Sequence, residues 1–553
     1  MLLKNVNFSG KSIDLAKNRT HEDSNVITIL MGGNSSGKSR IFQTICSAFI
    51  RAYYGHAENL HNLRYVTNLS DIEQFDSISY LQNSDLTSLC RMTSPYQRNY
   101  NLNNSESIYL SSDHPYTEAT IKEKNNITDE NIISAIKYDF LSEAKLHGES
   151  IQFKKNGKPC DKISIPNRIL AVTCSPYDKF PLPKPYTAPS LPYSFPYFYL
   201  GARQTQRSTH RINSSYLDYK FDQLGASFIK LLLKPKQKHF DFSKILNFLN
   251  ISNSFTLKMN FNELLNTKEV TLETISNLMD KVNLRQRAFD GSLKRESNNN
   301  EVKLKILEAI RNIIPSNSEG NIYPSFLSDI LCTINLSNGE NDNLRLDSLG
   351  FLSEYGLIEL EDIIFQKTET NHEFLLSQAS SGELSLLFTM ASIAGEIQNN
   401  SLILIDEPEL SLHPRWQLKF ISLLSDIFSN YKSCHFIIAT HSPNIVSSLP
   451  VDDAYIVHLE TNEVKLMPSK LYHHRSSDFQ LAEVFDSPGN NNEYLISQVI
   501  EVLDKLCKSK TLDETMFTKA EWLMTFENKV GDNDRVKILL NILQQTIEAL
   551  KAK

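Results

Sequence analysis

Residues Val26-Ile27-Thr28-Ile29-Leu30-Met31 form a nearly unbroken apolar run that ends in Gly32-Gly33-Asn34-Ser35-Ser36-Gly37-Lys38-Ser39. Such a run, closed by glycines, predicts a strand buried on both faces, the kind that belongs in a parallel sheet. Ile41, Ile45 and Ile50 then recur at helical spacing between Arg40 and Tyr54. Strand, glycine-rich loop and helix therefore follow one another. A Gly-x-x-x-x-Gly-Lys-Ser loop in that setting cradles phosphate. Backbone N–H groups and the helix N-terminus present partial positive charge to phosphate oxygens. Lys38 adds a full charge near the β- and γ-phosphates, and the Ser39 hydroxyl is placed to hold magnesium. The bland alternative is a glycine-rich turn that happens to precede a lysine.

The rest of the chain argues against that alternative. Leu402-Ile403-Leu404-Ile405 is a second apolar strand, and it delivers Asp406 and Glu407 together at its mouth. Asp406 suits holding magnesium, and Glu407 suits polarising an attacking water. Two surface acids capping the next helix would account for one of them but hardly for both. His441 follows a third strand, Phe436-Ile437-Ile438-Ala439, where an imidazole can hydrogen-bond a γ-phosphate or the attacking water. Taken alone, His441 reads more often as a surface histidine, by roughly three to one. Ser380-Ser381-Gly382-Glu383 opens a helix with Leu386, Leu387 and Met390 on its apolar side. Ser380 offers a cap and Gly382 a bare backbone, so this end can meet an anion closely, although a plain N-cap has the same chemistry.

Composition bounds the class. A chain of 553 residues is too long for one core, so two or three domains are expected. Net charge is −7, so any nucleic-acid surface must be local rather than global. Seven scattered cysteines with no Cys-x-x-Cys pair fit reduced thiols, with Cys46, Cys174 and Cys434 acting as small hydrophobes. No apolar run approaches a membrane span, and Met1-Leu2-Leu3-Lys4 leads straight into strand-like sequence, so a cytoplasmic location is expected.

Along the chain, residues 1–215 are expected to form the first part of a nucleotide-binding head. Residues 60–165 are polar and hard to order, Ile169-Leu170-Ala171-Val172-Thr173 reads as a core strand, and a proline- and tyrosine-rich stretch runs to Phe198. Residues 216–359 are expected to be a mostly helical lobe. Residues 360–471 should complete the head, and residues 472–553 should form a helical extension that binds a partner. Arg203, Arg207, Arg211, Lys230, Lys234, Lys236 and Lys238 form a basic group that could neutralise nucleic-acid phosphates or form a solvated helical face.

The order of phosphate loop, Ser-Ser-Gly-Glu, Ile-Asp-Glu-Pro-Glu and Thr440-His441-Ser442 resembles the ABC-type ATPases. The run from Asp406 through Leu410-Ser411-Leu412-His413-Pro414 to Gln417 is similar to their RecF-, SMC- and OLD-like branch. The resemblance implies an α/β head with a mixed or parallel sheet, ATP and Mg2+ as ligands, and an ATP-sandwich dimer. In that arrangement Ser380, Ser381, Gly382 and Glu383 act in trans, while Ser411 and His413 lie in the segment crossing the dimer seam. A narrower likeness is to PtuA-type ATPases of Septu antiphage systems. It rests on Thr173-Cys174-Ser175-Pro176-Tyr177-Asp178-Lys179-Phe180, Tyr199-Leu200-Gly201-Ala202-Arg203, Gln378-Ala379-Ser380-Ser381-Gly382-Glu383 and Leu481-Ala482-Glu483-Val484-Phe485. That family implies an HNH nuclease partner, PtuB-like, and in retron versions a reverse transcriptase with its RNA-linked DNA.

Against the transporter-type signature, Ser381 replaces a glycine and Glu383 a glutamine, so trans contact with phosphate should be weaker or repulsive. Turnover is expected to be slow, below about 10 per second. A residue between Ser175 and Asp178 is expected to link the magnesium site to the lobe. The stretch after His441 is short for an additional Toprim domain. Asp532 and Asp534 lack the strand and glutamate such a domain requires. His473-His474 are adjacent, and neighbouring residues point apart on a strand or a helix, so no nuclease centre is expected. Two readings from different classes remain: a defence ATPase controlling a separate nuclease, and a RecF/SMC-like DNA-binding ATPase of repair or chromosome maintenance.

Overall fold

The computed structural model describes residues 1–17, 19–33, 36–54, 75–93, 149–161, 163–182, 196–201, 203, 242–261, 271–276, 300–313, 330–336, 343–354, 357–459, 464–509 and 513–551. Asn34 and Ser35 of the glycine loop lie outside the described residues, as do Arg207, Arg211, Lys230, Lys234, Lys236 and Lys238 of the basic group.

A seven-stranded sheet organises the molecule. Its order is Lys465–Pro468, Ala454–His458, Val26–Met31, His435–Ala439, Leu402–Asp406, Ile169–Thr173 and Tyr197–Leu200. All neighbours are parallel except the edge strand Lys465–Pro468. The four central strands are buried at every position, which is why they read as continuous apolar runs. This is the α/β, mixed-sheet architecture that the sequence predicts.

Side chains alternate across each strand, so the sheet feeds two cores. Ile27, Ile29, Ile403, Ile405, Phe436 and Ile438 face one layer, which includes the helix Ser381–Glu396 and the helix Pro414–Ile427. Leu30, Leu402, Leu404, Ile437 and Ala439 face the other, with Ile41, Phe42, Ile45 and Phe49 of the helix Lys38–Tyr54. Over that second layer lies a six-stranded antiparallel sheet, from Leu2–Phe8 to Lys158–Pro159, which contributes Val6, Ile78, Tyr80 and Leu89. It orders part of the polar region that the sequence left unread.

The region 216–359 carries a sheet beside its expected helices. Helices Ser243–Phe248, Asn300–Ile313 and Asn343–Glu354 are present, but so is an antiparallel sheet in the order Ile330–Asn335, Ser254–Phe261, Ile358–Gln366, Glu373–Leu375. Helices hold most of the described residues of this part, and the strands Ser254–Phe261 and Ile330–Asn335 add a sheet that the sequence reading lacked. The sheet puts Phe255, Leu257, Ile334, Ile363 and Phe365 into the same core as the helix Ser381–Glu396. Burial against that helix stabilises strands that a polar surface would not hold.

Beyond Tyr472 the chain is helical, with Ser477–Glu483, Glu493–Ser509, Glu514–Met524 and Arg535–Lys551. Leu495, Val499, Val502, Leu506, Leu523, Phe526, Leu540 and Leu543 form a separate core. Each such side chain contributes about 1.5–3 kcal/mol on burial. That is enough to hold helices too short to be stable alone.

Candidate nucleotide site

Strand register assembles the site. Leu30 pairs with Ala439, Ala439 with Asp406, and Asp406 with Thr173, so four parallel strands end in line. Beyond those ends come the glycine loop, the Asp406–Glu407 acids, Thr440–His441 and the loop from Ser175. Ligands of open α/β sheets bind outside the carboxyl ends of the strands, and here four segments remote in sequence meet there.

The glycine loop turns tightly at Gly37, whose φ of +95° is closed to residues with a side chain. The Lys38 ammonium folds back onto the loop, donating to the Gly32 carbonyl at 2.6 Å and the Gly33 carbonyl at 3.2 Å. Ser36 N donates to the Gly33 carbonyl. The Ser39 hydroxyl donates to Asp406 Oδ2 at 3.0 Å, which joins the first motif to the acidic strand.

Asp406 is 3% exposed, and its Oδ1 has no hydrogen-bond partner. Burial pushes its carboxyl up to about 7; the negative charges of Glu407 and Asp178 push the same way, and Ser39 and Lys38 oppose them. A buried carboxylate oxygen without a hydrogen-bond donor, beside a serine hydroxyl, supplies oxygen ligands of the kind a hard divalent cation takes. The residues therefore fit Mg2+, with Asp406 and Ser39 as its protein contacts.

Glu407 and His441 face one another across 3.9 Å between Oε1 and Nε2, each about a third exposed. That is too long for a direct hydrogen bond and suits a bridging water. Glu407 adopts φ +50° and Ser411 φ +67°, left-handed values that cost energy in residues with side chains. Both turns lie in the segment linking the acids to the next helix. Two further side chains fasten that segment to the histidine loop. Glu409 Oε1 accepts from His441 N at 2.6 Å, and burial raises the Glu409 carboxyl against that bond. Gln417 Oε1 accepts from the Ser442 hydroxyl at 2.7 Å, while its amide donates to the Leu412 carbonyl. Neither residue was a sequence candidate; their only signal was a place inside the Pro408-to-Gln417 run. His413 caps the helix Pro414–Ile427 by accepting from Arg415 N.

The Ser-Ser-Gly-Glu segment forms the N-terminus of the helix Ser381–Glu396. Ser380 is its N-cap, and a reciprocal pair joins Ser380 and Glu383. Ser380 and Ser381 are exposed, whereas Gly382 is buried. A Cβ on Gly382 would come within 2.9 Å of the Ser411 carbonyl oxygen and 3.1 Å of Trp416, so only glycine fits. The signature thus packs against the Ser411 segment of its own chain. Among the described residues, no hydrogen bond joins it to the glycine loop.

Other candidates resolve differently. Asp178 is buried, accepts from Tyr199 at 2.8 Å and pairs with Arg203 at 2.8 Å. Arg203 is therefore committed inside the head, and the one described member of the basic group does not point to nucleic acid. Asp534 is 5% exposed and accepts from Val536 N and Asn491 N, a structural cap, while Asp532 pairs with Lys537. His473 and His474 do not point apart: they sit in a turn, with His474 at φ +53° and ring centroids 3.9 Å apart. Among the described residues no group of three or more His, Cys, Asp or Glu side chains could hold a metal ion, and no helix is long and apolar enough to cross a membrane.

Comparison with known proteins places this geometry. The family described as "AAA domain, putative AbiEii toxin, Type IV TA system" matches residues 194–447. The Retron Ec83 probable ATPase of Escherichia coli is 26% identical over 36% of this chain and 37% of its own. Septu protein PtuA of Bacillus thuringiensis is 24% identical over 32% of this chain and 47% of its own. Protein ea59 of Escherichia phage lambda is 36% identical over 21% of this chain and 23% of its own. The chain spans less than half the length of each of these curated relatives. The SMC head domain from Thermotoga maritima overlaps 85% of this chain and 99% of its own at 10% identity, with a TM-score of 0.26. Over part of its length the chain is thus similar to Septu PtuA and to retron ATPases.

Proposed function

We propose that this chain is the ATP-binding and ATP-hydrolysing subunit of a bacterial antiviral defence complex, acting in the cytoplasm and regulating a separate HNH nuclease through ATP-dependent dimerisation. The observation that carries the reading is the Ser39–Asp406 contact with Glu407 and His441 beside it, set against a signature whose hydrogen bonds, among the described residues, run to its own cap and to Lys367 rather than to the glycine loop. One copy holds the groups to grip a triphosphate and activate water. Its signature serves the facing copy.

In this reading Gly32 through Ser39 hold the phosphates, including Asn34 and Ser35, and Lys38 moves from the loop carbonyls to the β- and γ-phosphates. Mg2+, held through Ser39 and Asp406, would supply charge neutralisation on the phosphate oxygens. Glu407 takes up the proton of the attacking water, and His441 orients that water or the γ-phosphate. Ser380, Ser381, Gly382 and Glu383 contact the partner's nucleotide, and Ser411 and His413 line the seam. Similarity to PtuA and to retron ATPases supports the defence context, a PtuB-like nuclease, and a reverse transcriptase with its RNA-linked DNA as partners. The C-terminal helices are the proposed docking element.

The test is co-expression with an HNH nuclease encoded beside the gene, scored for complex formation and phage protection. Protection should vanish with Lys38→Ala while the complex persists. Undiminished protection by that variant would sink the reading. Duplex-DNA-stimulated ATPase without any nuclease partner would favour the RecF/SMC-like alternative.

A further inference from the structure

The signature carries an acid where it should meet a triphosphate, and the fold places a cation on that acid. Lys367 lies in the hairpin between Ile358–Gln366 and Glu373–Leu375. Its ammonium donates to Glu383 Oε1 at 2.6 Å and to the Leu249 carbonyl at 3.2 Å, and it sits 5.2 Å over the Phe374 ring. Glu383 Oε2 is taken by Ser380, through N and Oγ at 2.9 Å each. Both carboxylate oxygens are thus met, Oε1 by the hairpin lysine and Oε2 by the helix cap. The Lys367 side chain remains 32% exposed, against 14% for Glu383. A cavity of about 320 Å³ adjoins the pair, walled by Phe248, Asn250, Thr370 and Trp416. The cation is the part of the pair that an approaching molecule reaches.

We infer that Lys367 is a positioning residue of the nucleotide site, cancelling the charge of Glu383 so that this signature can close on a triphosphate held by the facing copy. The inference rests on the paired reading proposed above. An uncompensated carboxylate would repel the phosphates across a seam that excludes water, where charges interact far more strongly than in bulk solvent. With Lys367 in place the pair is neutral, and the backbone N–H and hydroxyl of Ser381 meet the anion unopposed. A purely structural role is the competing account: the ion pair would only fasten the hairpin to the helix.

The two accounts separate in full-length protein carrying Glu407→Gln, by titrating Mg-ATP and following dimerisation by light scattering. Lys367→Met, which keeps the side-chain stem, should raise the half-saturating ATP concentration about tenfold or more. Adding Glu383→Gln to that variant should bring it back to within about threefold of the parent. Glu383→Gln alone should lower it. An unchanged titration with Lys367→Met, or a loss that Glu383→Gln does not rescue, overturns the inference while leaving the paired reading intact. Weaker dimerisation by Glu383→Gln alone also overturns it, and that measurement stands even where Lys367→Met fails to fold. A parent that never dimerises with Mg-ATP overturns the paired reading, and this inference with it.

Discussion

The carboxyl end of the central sheet and the N-terminus of the signature helix treat charge in opposite ways. At the sheet, Asp406 is buried with one oxygen unpartnered, its carboxyl raised to about 7, and Glu407 crowds it. At the helix, the Glu383 carboxylate is met at both oxygens, by Lys367 and by Ser380. Burial pushes the Glu383 carboxyl up, but the Lys367 and Ser380 hydrogen bonds outweigh it and hold the carboxyl below its usual range. On the function proposed above, the first region stores an electrostatic deficit that a magnesium nucleotide would relieve. The second is already neutral and ready to be presented. A site that accepts charge and a surface that offers little of its own are complementary, which is what two facing copies of one chain require.

The contrast can be broken experimentally. The largest effect should come from Glu407→Gln, which keeps the geometry but removes the proton acceptor. Hydrolysis should fall about a thousandfold with ATP binding retained, measured by phosphate release beside equilibrium binding. Equal loss of binding and turnover would mean that Glu407 holds nucleotide rather than water. Lys38→Ala should weaken ATP binding about a hundredfold in a fluorescent-nucleotide titration, since it deletes the charge at the phosphates. An affinity near wild type would remove the glycine loop from the site.

Gly382→Ala sharpens the comparison on the other side. The new methyl meets the Ser411 carbonyl, so the signature must shift, at a cost of about 1–3 kcal/mol in thermal or denaturant unfolding. Nucleotide binding by the monomer should survive while ATP-driven dimerisation is lost. Loss of monomer binding would show that the two regions act within one chain. The smallest effect on nucleotide chemistry is expected for Asp534→Ala, remote in the C-terminal helices. Removing its cap should cost about 1–2 kcal/mol of stability, with ATPase activity unchanged. A changed ATPase rate would reveal coupling between those helices and the head.

How much was legible follows the same division. The central strands were read almost to the residue because burial on both faces leaves only apolar side chains. The antiparallel sheet was missed, although Ser254-Phe255-Thr256-Leu257-Lys258-Met259-Asn260-Phe261 alternates without a break. Its helical neighbours, and the buried Asp362 in the adjoining strand, masked a period of two. The His473–His474 pair failed for another reason: adjacency was judged by strand and helix geometry, whereas a left-handed residue brings the rings together. Arg203 read as available charge because a sequence does not show that a buried Asp178 claims it.

By itself the amino-acid order determined the local chemistry: a phosphate loop between strand and helix, two acids at a strand end, a glycine and serines opening a helix. Those follow from short-range rules of backbone geometry and side-chain periodicity. Only the tertiary structure decided which groups meet. The Ser39–Asp406 bond, the Glu409 and Gln417 ties to the histidine loop, and the Lys367–Glu383 pair each depend on strand order and packing. Contacts between distant segments are set by how whole layers bury their apolar faces, and no single stretch of residues carries that information.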